Sequence, residues 1–152
     1  MPSLLTLPDL FAQRIAQSPA GEAYREYDRA AGRWRSLDWA AVGREAARWR
    51  RALAGEGLAP GDRVAVLARG CVAHVCMDQA VLARGCVPVP LHAIDNPESI
   101  AYILADSGAR LLLVEAAQRW NPLAQMRDRF PALKKVLSLD RPEMGDAVWT
   151  ED

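Results

Sequence analysis

Two histidines and three cysteines are the most reactive side chains of this 152-residue sequence. Cys71, His74 and Cys76 lie within six positions, and Cys86 follows ten later. Thiolate and imidazole are zinc ligands, but this spacing matches no zinc pattern, and small buried thiols serve more often as packing. His74 and Asp78 stand four apart, which lets them touch on one face of a helix as a local ion pair or hydrogen bond. His92 follows a predicted strand, a good position for chemistry, yet the sequence names no partner for it. Arg69-Gly70 follows another strand and could open a phosphate loop at a helix N-terminus. The segment Leu67-Ala68-Arg69-Gly70-Cys71 has one glycine, though, where a dinucleotide fingerprint uses three, and no P-loop string occurs. Asp9, Asp62 and Asp106 have capping or turn roles open to them. Residue types and spacing therefore assign no catalytic, cofactor-binding or metal-ligating residue.

The elements that would position these groups are clearer. Thr6 can cap a short first helix with a stripe of Leu7, Leu10, Phe11 and Ile15, stopped by Pro19. Residues 22–27 and 33–37 read as two strands around the turn Arg29-Ala30-Ala31-Gly32. Asp38 caps a long helix with Trp39, Val42, Ala46, Trp49 and Leu53 on its apolar seam. The other face, with Arg44, Glu45, Arg48, Arg50 and Arg51, suits solvent better than a bound anion.

A repeat then begins. Predicted strands start at Arg63, Cys86, Arg110 and Lys134, with a helix in each gap: 71–84, one capped by Asn96 and closed by Gly108, and 118–129. Ile100, Ile103 and Leu104 should face inward from the second of these. Runs such as Arg110-Leu111-Leu112-Leu113-Val114 are apolar on both faces. The expected class is α/β, a parallel sheet with covering helices, preceded by a helix, a β-hairpin and a long helix. Core positions should include Val64, Val66, Leu82, Val89, Ile103, Leu112 and Val114. Pro88 and Pro90 each lack an N–H, so their strand should pair incompletely or end early. Residues 140–152 show no period and read as a tail or as the start of a missing remainder.

Composition bounds the function. A hydrophobic share of 51% with 25% charged residues describes one soluble domain. Nineteen basic and nineteen acidic residues cancel, which argues against a nucleic-acid binder. No apolar run approaches a transmembrane length, and the start lacks a signal-peptide pattern. Three cysteines without a C-x-x-C pair suggest reduced thiols in the cytoplasm.

Several segments together are specific. They are Leu37-Asp38-Trp39 with its helix, Gly57-Leu58-Ala59-Pro60-Gly61-Asp62-Arg63-Val64-Ala65-Val66-Leu67, Val87-Pro88-Val89-Pro90-Leu91, and Ile100-Ala101-Tyr102-Ile103-Leu104-Ala105-Asp106-Ser107-Gly108-Ala109. In this order they resemble the N-terminal portion of the AMP-binding acyl-CoA synthetase superfamily, over about Leu7 to Glu115. Asp78-Gln79-Ala80 looks most like the long-chain fatty-acid branch. Gly70 stands where family members often carry Asn, and Asp38 where Thr is usual.

The resemblance implies an enzyme that joins a fatty acid to coenzyme A through an acyl-adenylate, using ATP and magnesium. The family's phosphate loop, adenine, metal and late lysine motifs lie beyond the matching region, so no catalytic residue carries over. The chain is expected to be an N-terminal fragment, residues 1–139 forming an α/β subdomain (1–57 lead-in, 58–139 βα repeats), and to be inactive alone. Its partners would be the fatty acid, coenzyme A and the remainder of the synthetase, with a homodimer through the first helix or an open sheet edge. A stand-alone interaction or regulatory domain and a small flavodoxin-like cofactor binder are the alternatives.

Overall fold

The computed structural model describes residues 6–138 and the backbone of 147–150. Helix α1 (Leu7–Gln17) starts at a capping box, in which Thr6 accepts from the Asp9 N–H while the Asp9 carboxylate accepts from the Thr6 N–H. Its stripe is only half buried: Phe11 packs against the core, while Leu7 and Leu10 stay exposed. Strands β1 (Glu22–Asp28) and β2 (Arg33–Asp38) form an antiparallel hairpin apart from the main sheet. Helix α2 (Trp39–Ala54) begins where the Asp38 carboxylate accepts from the Ala41 N–H at 2.7 Å. It buries Val42, Ala46, Trp49 and Leu53 and leaves Arg44, Arg48, Arg50 and Arg51 exposed.

The repeat follows: β3 (Arg63–Leu67), α3 (Val72–Leu82), β4 (Val87–Leu91), α4 (Pro97–Ser107), β5 (Leu111–Val114), α5 (Asn121–Ala124) and β6 (Lys135–Ser138). A last strand, β7, covers Ala147–Thr150. The spatial order is β4-β3-β5-β6-β7. The first four of these are mutually parallel, as expected for apolar strands joined by helices, and β7 runs antiparallel to β6. Because strand side chains alternate between faces, the sheet carries two cores. Val64, Val66, Leu111, Leu113 and Leu137 meet α2 and α3 on one face. Ala65, Leu67, Leu112, Val114 and Val136 meet α4, Trp120, Leu123 and Phe130 on the other.

Four expectations need correction. The helix expected over 118–129 is broken into the single turn α5 between two short 3-10 turns. Pro122 explains the first of these breaks: it brings no N–H to the helix ladder, and a proline ring crowds the preceding turn. The strand with Pro88 and Pro90 neither ends early nor pairs incompletely, since all five residues align with β3. It is an edge strand, and backbone groups alternate along it. The Val87 N–H donates to the Asp62 carbonyl at 2.8 Å, so the two proline nitrogens face the open side, where no donor is needed. Residues 147–150, part of the stretch read as a tail or as the start of a missing remainder, are a strand held by backbone pairing to β6. Of the expected core, Val64, Val66, Leu112 and Val114 are fully buried, whereas Leu82, Val89 and Ile103 are only half buried. Val89 sits on the edge strand, where no strand among the described residues pairs with one flank. The expected fourth strand begins at Lys135; Leu139 lies outside the described residues.

Candidate functional site

In an open α/β sheet, ligands bind beyond the carboxyl ends of neighbouring strands whose connections leave to opposite faces. Here that point lies between β3 and β5. The chain after β3 enters α3, on the face of Val64 and Val66, and the chain after β5 enters the turns around Trp120, on the face of Ala65 and Leu112. Arg69-Gly70 therefore stands beside Glu115, 46 residues away. The Glu115 N–H donates to the Leu67 carbonyl at 3.0 Å. In return the Glu115 carboxylate takes the Arg69 Nε at 3.0 Å and the Arg69 N–H at 3.3 Å. Arg69 is well exposed, so this pair stabilises the crevice by a fraction of about 1 kcal/mol.

From the crevice a groove of about 650 Å³ runs between the hairpin and the start of α3, lined by Tyr24, Glu26, Arg69, Cys71, His74 and Asp78 among others. Cys71 occupies the N-cap of α3 without a side-chain cap bond. The vacant donor is served from another element: the Val72 N–H donates to Glu26 Oε1 at 3.3 Å, and Arg35 donates to Glu26 Oε2 at 2.8 Å. A helix N-terminus favours negative charge, and here the chain supplies its own.

His74 bridges the loop and the helix. Its Nδ1 lies 3.4 Å from the Arg69 carbonyl, which can only accept, so the contact is a hydrogen bond in the tautomer with the proton on Nδ1. Its Nε2 lies 3.6 Å from Asp78, the i, i+4 contact expected from the sequence. Burial pushes the Asp78 carboxyl up, and the neighbouring imidazole opposes that shift. Asp78 Oδ1 is buried with no hydrogen-bond donor.

The three cysteines are unpaired by disulfides. Cys76 is fully buried, and desolvation pushes its thiol up to about 12, the range of an inert packing group. The Cys86 thiol is also raised by burial, and it points at the Ala59 carbonyl at 3.4 Å. Among the described residues no three His, Cys, Asp or Glu side chains converge as metal ligands. His92 is exposed at the end of β4 and its carbonyl accepts from the Asp95 N–H at 3.0 Å, closing a turn. It does not join the groove. Asp62 accepts from the Ala59 N–H at 2.8 Å and from Arg110 at 2.9 Å, the turn role expected for it.

The structure thus gathers Arg69, Gly70, Cys71, His74 and Asp78, which the sequence singled out. It adds Glu26, Glu115 and Tyr24, which sequence reasoning missed. Both anion-favouring positions, the α3 N-terminus and the Arg69 N–H, are taken by carboxylates of the chain itself.

A family model described as AMP-binding enzyme matches residues 11–152. The chain belongs to the AMP-binding enzyme family. Its curated relatives include the long-chain-fatty-acid–CoA ligases FadD15 of Mycobacterium bovis and Mycobacterium tuberculosis, each 29% identical over 83 residues. Those matches cover 55% of this AMP-binding chain and 14% of the ligase, so the match spans about one-seventh of those proteins. Among solved structures, the anthranilate CoA ligase AuaEII in complex with anthranoyl-AMP superposes with a TM-score of 0.76 at 23% identity, covering 91% of this chain and 26% of that one. The N-terminal domain of FACL13 from Mycobacterium tuberculosis gives 0.75 at 23% identity, over 90% and 34%. The fold is that of the N-terminal domain of adenylate-forming enzymes.

Proposed function

We propose that this chain forms the N-terminal α/β subdomain of an acyl-CoA synthetase acting on long-chain fatty acids. The family match over residues 11–152 carries the reading. In the reaction, a fatty-acid carboxylate attacks the α-phosphorus of ATP and pyrophosphate leaves. The coenzyme A thiolate then attacks the acyl carbon of the adenylate and AMP leaves. Magnesium and the groups that hold the phosphates belong, on this proposal, to the remainder of the synthetase, since the residues at the β3–β5 crevice do not fit them. What this chain contributes is the sheet and the crevice wall.

On the same proposal residues 1–139 make the subdomain, with 1–57 as lead-in and 58–139 as the βα repeats, and 140–152 are a tail or the start of the remainder, of which Ala147–Thr150 pairs with β6. Cytoplasmic placement is supported by the unpaired cysteines. Among the described residues no helix is long and apolar enough to cross a membrane. Self-association through α1 is part of the same proposal, supported by exposed Leu7 and Leu10.

The test is fatty-acid-dependent exchange of labelled pyrophosphate into ATP. Residues 1–152 alone should show none, because positioning of both substrates and charge stabilisation at phosphorus are needed together. A continuous synthetase chain that includes these residues should show it. Exchange by the purified 152-residue chain would overturn the assignment and relocate the site to the crevice at Arg69.

A further inference from the structure

Beyond the synthetase reading, and independent of it, we propose that the cavity between α1, α2 and α3 binds a small hydroxyaryl carboxylate: one aromatic ring with a hydroxyl at one end and a carboxylate at the other. The cavity measures about 360 Å³, the small end of the range for ligand sites. It shares no lining residue with the groove at the start of α3. Asp78 lines that groove and the next residue, Gln79, lines the cavity, so α3 stands between the two.

The space follows from the residues that face it. Helix α1 carries an apolar stripe and yet buries none of its residues fully. It meets α2 closely at Gly43, where an added Cβ would lie 2.9 Å from Ile15 Cδ1. Ala46 and Ala47 of α2 and Ala80 and Ala83 of α3 are short, and the room they leave beside Phe11 is the cavity. Water against such walls makes few hydrogen bonds, and an aromatic ring that displaces it removes apolar surface from solvent.

Two polar groups of the lining are left over. Gln79 Oε1 is buried and meets no donor. A buried acceptor without a donor is costly, and a ligand O–H relieves that cost. A hydroxyl both donates and accepts, so it also serves the amide turned by half a rotation, which selects it over an amine or an ether. At the rim, Arg50 is exposed and has no hydrogen-bond or ion-pair partner among the described residues. Asp9, the other charged residue of the lining, is engaged by the Thr6 N–H at 3.1 Å and by its hydroxyl at 2.7 Å. One free guanidinium therefore awaits an anion, and its planar fork matches a carboxylate. A phosphate, with its second negative charge, would be repelled more strongly by Asp9.

The experiment is calorimetric titration of the 152-residue chain with para-hydroxyphenylpropionate, whose carboxylate sits on a flexible arm. Two controls accompany it: phenylpropionate, which lacks the hydroxyl, and para-ethylphenol, which lacks the carboxylate. Expected is one-site binding of the first with a dissociation constant of about 0.1–1 mM, as fits a compound of this size. Phenylpropionate should bind about tenfold more weakly, because it leaves Gln79 Oε1 without a donor. Gln79→Met should reverse that preference, since the hydroxyl would then be the group buried without a partner. A variant that misfolds loses all three compounds alike and cannot reverse their order. Para-ethylphenol on the parent, and para-hydroxyphenylpropionate on Arg50→Gln, should each bind about threefold more weakly, the effect of one exposed ion pair. Arg50 holds no partner, so its variant should melt as the parent does, and with the compound series on the parent it decides the matter even if Gln79→Met does not fold. No saturable binding in the millimolar range, equal affinity for all three compounds, or Arg50→Gln binding like the parent would overturn the proposal. So would a folded Gln79→Met that keeps the parent's preference. The titration involves no nucleotide, so a failed pyrophosphate exchange and a failed titration are separate results.

Discussion

Replacing Gly108 by Ala tests how the βα repeat is closed. Gly108 ends α4 in the left-handed region, with φ 59° and ψ 41°. It is also where β3 grips that helix. Arg63 Nε donates to the Ser107 carbonyl at 2.6 Å and Nη2 to the Gly108 carbonyl at 3.1 Å, so a cation caps the negative end of α4. A Cβ on residue 108 would lie 2.8 Å from Arg63 Nη2. The left-handed conformation costs Ala about 1–2 kcal/mol. Restricting the unfolded chain returns about 0.5 kcal/mol. Displacing the half-solvated guanidinium removes charge-assisted bonds worth about 1.5 kcal/mol together. The variant should therefore lose about 2–3 kcal/mol, or about 5–10 °C in melting temperature for a domain of this size. Urea unfolding followed by circular dichroism gives the first number. A double-mutant cycle with Arg63→Met isolates the second. In that background Gly108→Ala should cost only the strain, leaving a coupling of about 1–1.5 kcal/mol. Additive effects, or a Gly108→Ala variant as stable as the parent, would refute the reasoning.

Leu112, fully buried at the centre of the sheet, should cost about 3 kcal/mol as Ala, read from the urea midpoint. Leu112→Asp should prevent folding, because an unpaired carboxylate would sit among Leu104, Phe130 and Val136, and a soluble, cooperatively unfolding variant would count against this register. Pro88→Thr with Pro90→Thr should lower stability by about 1–2 kcal/mol by freeing the unfolded chain. It also restores N–H donors on the open β4 edge, so light scattering should show association beyond the parent's, and a variant that associates no more than the parent would deny the prolines an edge-guarding role. Asp78→Asn should raise the melting temperature at pH 7. The Asp78 carboxyl is pushed above its ordinary value of 3.8, so its protonated form favours the fold, and that contribution is full below pH 3.8 and lost as pH rises. The gap between variant and parent should close as pH falls toward 3, and a gap that widens on acidification would reverse the sign.

The βα repeat was legible because each of its signals is local. Asn96 with Pro97 opens α4 and Gly108 closes it within one span of chain. A run such as Leu111–Val114, apolar on both faces, can only be an interior strand. The His74–Asp78 contact follows from helical spacing alone. Even the break near Pro122 had its signal in the sequence, outweighed there by the spacing of Trp120 and Leu123. The crevice was not legible. That Arg69 meets Glu115 depends on β5 lying beside β3 instead of beside β4. That Glu26 reaches the Val72 N–H depends on how the hairpin leans against α3. The edge position that makes Pro88 and Pro90 harmless is likewise a property of strand order. Helix and strand periods are set by the backbone geometry of a few neighbouring residues. Strand order is set by which arrangement buries both apolar faces of the sheet at once, and no period along the chain records that choice.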